Sequence, residues 1–166
     1  MAVDRTGIIF EARAGLNESK RILAGFTNQR QRRGSLDDAL TGVDVLIGVS
    51  GPDLVSAKQI GLMNRDAIVF ALSNPTPEIM PDVARAGGAA VVATGRSDFA
   101  NQVNNALVFP GIFKGALERE VRSITPKMMI AAAEALAGLV QNPTSDNVIP
   151  SIFDERVVET VASSIK

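Results

Sequence analysis

The sequence predicts an α/β protein built on a doubly wound parallel sheet that is incomplete, with extra helices toward the carboxyl end. Three observations carry that expectation. Residues 44–48, 67–72 and 89–93 are unbroken apolar runs, the pattern of strands covered on both faces rather than on one. Helix-sized segments at 55–64 and 81–86 lie between them, so the order is β, α, β, α, β, with right-handed crossovers expected. After Gly95 the texture turns polar and Asn-rich, and apolar helical stretches then close the chain.

The elements follow in order. Residues 2–10 read as the tail of an extended segment through Asp4, a turn at Thr6 and Gly7, and a short apolar stretch. Asn17 is placed to cap a helix in which Ile22, Leu23 and Phe26 recur at helical spacing, ending near Asn28 and a basic loop with Arg30, Arg32 and Arg33. That loop reads as solvated surface rather than a phosphate clamp. Ser35, followed three residues later by Asp38, is a capping pair for a short helix that Gly42 closes with a left-handed turn. Thr125 and Pro126 open an apolar helix through Val140, with proline in the first turn where its missing N–H costs nothing. A last helix is expected over 154–164. Met128, Met129, Leu136, Leu139 and Val140, interspersed with alanines, read as core packing. No repeat, low-complexity tract or linker interrupts the chain, which is read as one domain over residues 1–166.

Composition narrows the chemistry. Seventeen basic and eighteen acidic residues leave a formal net charge of −1 without long runs of either sign, so no electrostatic footprint for nucleic acid or anionic lipid is present. The absence of Cys and His removes disulfides, thiolate nucleophiles, the usual zinc sites and the commonest general base. No segment reaches the roughly 18 apolar residues of a membrane span, and the amino terminus has no signal pattern, which places the protein in the cytoplasm as an expectation.

In an open parallel sheet, ligands bind beyond the carboxyl ends of the strands. After the first central strand come Gly48, Val49 and Ser50, where small residues admit a ligand to the backbone N–H groups; an ordinary βα turn explains the same residues equally well. After the second come Ser73, Asn74 and Pro75 through Glu78, with two prolines that stiffen the loop holding the Asn74 amide; a purely structural turn is the competing account. After the third, residues 94–105 gather Arg96, Asn101, Gln102, Asn104 and Asn105, a density of donors and acceptors that favours a site over a solvated loop. Asp4, at the end of the first extended segment, stands where a dinucleotide fold places an acid on the adenosine ribose, although Asp also starts turns.

Taken together, residues 3–9, 44–50, 70–78, 93–98, 101–105 and 109–113 resemble the malic enzymes, over nearly the whole chain. The resemblance implies a Rossmann-type NAD(P)-binding domain, the C-terminal portion of an enzyme that oxidatively decarboxylates L-malate to pyruvate and CO₂ while reducing NAD or NADP, with Mg or Mn. Carried over by position, Asp4 would bind the ribose, Gly48, Val49, Ser50 and Asn74 the cofactor, and Asn105 with Asn104 the malate. Lys20, on the helix after Asp4, suits a 2′-phosphate while Asp4 suits a free 2′-hydroxyl; the reading leans to NADP. No Gly-x-Gly-x-x-Gly turn precedes Asp4, and the family's Tyr, Lys and metal-ligating acids have no counterparts. No catalytic residue or metal ligand is therefore assigned, and the chain is expected to need an amino-terminal catalytic domain and to be inactive alone. A homodimer or tetramer is implied by the family. Two alternatives stand beside this reading: a malolactic enzyme that converts malate to lactate, and a non-catalytic nucleotide-binding module whose open sheet edge recruits another chain.

Overall fold

A computed structural model describes all 166 residues. The chain opens with a small antiparallel ladder, β1 (Val3–Asp4) against β2 (Gly7–Ile8). Helix α1 (Glu18–Phe26) follows, capped by the Asn17 side chain, which accepts the Lys20 N–H. Helix α2 (Leu36–Leu40) carries the expected reciprocal cap between Ser35 and Asp38 and is followed by Gly42 at φ +69°. In the basic loop Arg30 and Arg33 are exposed, as expected of solvated surface, while the Arg32 guanidinium donates to the Asp38 and Thr41 carbonyls and that of Arg33 stacks over Phe10.

Strands β3 (Val45–Gly48), β4 (Ala67–Ala71) and β5 (Ala89–Thr94) form a parallel sheet in the order β3-β4-β5. Helices α3 (Ala57–Ile60) and α4 (Pro81–Ala86) make the crossovers. Helix α3 is shorter than the expected 55–64, because its start is pinned at Ser56 by a capping box with Gln59 and Gly61 caps its other end five residues on. Leu46, Val69 and Val92 stand in register across the sheet. They join Leu40, Ile60, Ile79 and Ala84 in the main core beneath α2, α3 and α4. Burying a side chain such as Val69 contributes about 1.5–3 kcal/mol.

The expectation that every strand is covered on both faces is corrected at β3. Val45 is 47% and Ile47 63% exposed, because β3 is the sheet edge and no helix lies over its second face. Ile68 and Phe70, one strand inward, are half-buried.

The carboxyl-terminal part forms a separate cluster. A 3₁₀ turn over Asn105–Leu107 leads into α5 (Phe109–Glu118), a helix that the sequence reading did not assign. It packs on α6 (Pro126–Ala137) and α7 (Arg156–Ser164) around Leu107, Leu136, Val161 and Ile165. Helices α5 and α7 touch through glycines: a β-carbon on Gly111 would stand 2.6 Å from Val161 Cβ, and one on Gly115 2.5 Å from the Ala162 carbonyl. Of the predicted core set, Leu136 is buried and Met128 and Leu139 pack against it, but Met129 is 52% exposed, on the wall of an open apolar groove it shares with Phe109 and Ile112. Helix α6 ends at Ala137, before the predicted Val140. No helix is long and apolar enough to cross a membrane.

Candidate functional site

The carboxyl ends of β3, β4 and β5 lie side by side, as parallel register requires. Gly48 ends β3 in the interior, and Val49 and Ser50 emerge from it into solvent. The turn that follows is laced to the loop after β4: the Asp53 N–H donates to the Pro77 carbonyl and the Val55 N–H to that of Glu78. The Glu78 carboxylate, only 1% exposed, accepts the Ser50 N–H at 2.7 Å through Oε1 and the Ser73 N–H at 3.0 Å through Oε2. Sequence reasoning quoted Glu78 as part of a loop motif and gave it no role; nothing local announces that this acid is buried.

Beyond the ends of β4 and β5 opens a polar cleft of about 400 Å³. Asn74, next to the cis-linked Pro75, forms one wall; Gly95, Arg96, Gln102 and Asn104 form the others. The Arg96 guanidinium binds Asp98 through two hydrogen bonds, at 2.8 and 2.7 Å, and lies over the Phe99 ring. That pairing lowers the Asp98 pKa and raises that of Arg96. Asn104, on the cleft wall, accepts the Ala106 N–H through Oδ1, and its amide NH₂ has no partner within the chain.

The structure thus brings together Asn74 and Asn104, and ties Ser50 to the same strand ends through Glu78. Asn105 is exposed at the start of the 3₁₀ turn and is not part of the cleft wall. Asn101, one of the amides that made residues 94–105 resemble a site, is instead a structural tie. Its amide donates to the Val92 and Ser145 carbonyls and accepts the Val148 N–H.

Asp4 lies on the β1–β2 ladder, outside the cleft. Its Oδ1 accepts the Thr6 N–H and hydroxyl, both at 2.9 Å, and its Oδ2 faces Arg13 and, at 2.5 Å, Lys20 Nζ. Arg13 first and Lys20 next hold its carboxyl well below the usual carboxylate range. A carboxylate offers about four lone-pair sites, and all are taken. The pairing of Asp4 with Arg13 and Lys20 was not foreseen. No group of three acidic side chains converges anywhere in the chain, so a divalent metal finds no ready ligand set here.

A parallel sheet that presents small turns and uncharged amides beyond its strand ends is the frame of a dinucleotide-binding α/β domain. Residues 1–165 match the family model for the malic enzyme NAD binding domain, and the chain belongs to that family. It is 49% identical over 165 residues to the bifunctional malic/malolactic enzyme of Bacillus subtilis (98% of this chain, 40% of that protein). It is 43% identical to an NAD-dependent malic enzyme of Geobacillus stearothermophilus (99% and 35%) and 40% identical to an NADP-dependent malic enzyme of Halomonas elongata (98% and 42%). The crystal structure of an NAD-dependent malic enzyme from Thermotoga maritima superposes with a TM-score of 0.92 at 46% identity, over 99% of this chain and 44% of that one. The chain therefore spans between about a third and somewhat under half the length of these relatives.

Proposed function

We propose that this chain is the cofactor-binding portion of an oxidoreductase that oxidatively decarboxylates L-malate to pyruvate and CO₂ with reduction of NAD or NADP. The observation that carries this reading is the meeting of Asn74 and Asn104 in one open polar cleft beyond β4 and β5, tied through Glu78 to the Gly48–Ser50 turn.

The residues present fit the nicotinamide half of a dinucleotide. Gly48, Val49 and Ser50 give a turn whose backbone a flat ring can approach, and Asn74 offers an unpartnered amide at the strand end. When bound, the nicotinamide supplies the hydride acceptor; the protein orients it. Asn104, from the cleft wall, would orient malate, joined by its neighbour Asn105 from the 3₁₀ turn outside that wall, since amides hold a carboxylate and a hydroxyl without adding charge. Arg96, neutralised by Asp98, leaves that role to them. No three carboxylates gather in this chain, and Mg or Mn, like the acid and base, would rest on residues of an amino-terminal catalytic region. The complete enzyme would be a cytoplasmic dimer or tetramer.

The Asp4 cluster supports the lean to NADP. Two cations share one carboxylate whose lone pairs are all engaged, so a ribose 2′-hydroxyl finds no free acceptor while a 2′-phosphate finds net positive charge.

The test joins this chain to the amino-terminal region its relatives carry, adds malate and Mn, and follows reduced cofactor spectroscopically with NAD and with NADP. Malate-dependent reduction supports the reading, and a folded, complete enzyme that reduces neither cofactor sinks it. One observation favours a second activity: the 49% identity to a relative described as bifunctional malic/malolactic. Lactate accumulating without net reduced cofactor would select that reaction.

A further inference from the structure

Glu78 is the one acidic side chain in the chain that is fully buried, and no Lys or Arg pairs with it. Burying a carboxylate without a cation is costly and is tolerated only where hydrogen bonds satisfy it. Here both oxygens are satisfied by backbone from two different loops: Oε1 by Ser50, just past β3, and Oε2 by Ser73, just past β4. A carboxylate is the side chain that accepts at both ends and donates at neither. Its choice at this joint matches two N–H donors that face each other across a gap. Gly48 admits it, since a β-carbon there would lie 2.6 Å from the Glu78 carboxyl carbon.

We propose that Glu78 is a positioning residue for the nicotinamide nucleotide: it fixes the spacing between Ser50 and Ser73, and with it the distance between the β3 turn and Asn74, between which the cofactor is held. The inference rests on the cofactor reading above and assigns that site a determinant that makes no contact with the ligand.

The test is made in the complete enzyme with Glu78→Gln, which keeps size and shape but has one acceptor for two donors. Glu78→Asp, which keeps the charge but is a methylene too short to span both amides, carries the same test if the first variant is insoluble. Ile60→Ala, in the core beneath the sheet, controls for loss of stability alone. Amide exchange at Ser50 and Ser73 and titration with NADH and NADPH are the readouts. Faster exchange at one or both serines, together with an affinity about tenfold weaker, is expected for the Glu78 variants, and less than a twofold change for Ile60→Ala. Faster exchange with unchanged affinity overturns the proposal, as does equal weakening in Ile60→Ala. If the unsubstituted enzyme binds neither nucleotide, the cofactor reading itself fails and takes the proposal with it.

Discussion

The carboxyl carbon of Glu78 lies 2.6 Å from the point where a β-carbon on Gly48 would stand. Because Glu78 is bonded to Ser50 and Ser73, it cannot yield without releasing one of them. Gly48→Ala is therefore expected to destabilise the protein by about 1–3 kcal/mol, the usual cost of overpacking. Urea unfolding should show a lower midpoint at an unchanged slope, and an unshifted midpoint would mean that Glu78 moves aside freely.

Asn74 offers the opposite case. It is exposed at the cleft and its side chain makes no hydrogen bond within the chain. Asn74→Ala should leave thermal stability within about 0.5 kcal/mol, as for most surface changes. In the complete enzyme kcat/KM should fall roughly 10- to 100-fold, the worth of a hydrogen bond or two to charged or reacting groups. Parallel loss of stability and activity would reassign Asn74 as a structural turn residue.

On the proposed reading, Lys20 is the residue expected to separate the two cofactors. Its ammonium lies 2.5 Å from Asp4 Oδ2, within reach of whatever meets that carboxylate. Lys20→Ala should raise KM for NADP about tenfold, equivalent to about 1.4 kcal/mol, and leave KM for NAD nearly unchanged. Steady-state kinetics with both nucleotides decides it, since an equal rise in both constants would limit Lys20 to supporting Asp4.

Local chemistry made much of this fold legible in advance. The caps at Asn17 and Ser35 could be read because a capping side chain reaches only the next turn of its own helix. The apolar runs announced β3, β4 and β5 for a similar reason. Helix α5 was not assigned, since Pro110 and Gly111 are poor helix formers in general, whereas Pro110 sits in a tolerant first turn and Gly111 is where α7 packs. In the candidate cleft, Asn74 and Asn104 were visible as amides after strands. Glu78 and the Arg13–Asp4–Lys20 cluster were not, since each depends on segments brought together only by folding.

Acid should loosen the start of α7. Asp154 accepts the Arg156 N–H and two guanidinium hydrogen bonds, chiefly the latter, and its pKa is lowered from 3.8 to about 2. A depressed folded-state pKa contributes stability that is present above the unfolded value and is lost as pH falls through the folded one. The gap in melting temperature between the parent protein and Asp154→Asn should thus be present at pH 6 and shrink as pH falls from about 4 toward 2. Melts across that range measure it, and a gap independent of pH would mean that ionisation is not what stabilises the turn.

Asn101 combines two demands that a pair of substitutions can separate. Its backbone is left-handed, at φ +56°, where Asn is favoured over other side chains. Its buried amide also ties β5 at Val92 to the loop at Ser145 and Val148. Asn101→Ala removes the hydrogen bonds and places an unfavourable residue in the left-handed region, for an expected loss of about 3–4 kcal/mol. Asn101→Gly removes the same hydrogen bonds but suits the backbone, so it should be the milder change by about 1 kcal/mol. Denaturant unfolding of both variants gives the difference directly. Equal losses would assign the whole effect to the amide, and a gentler Ala would contradict the left-handed conformation at this position.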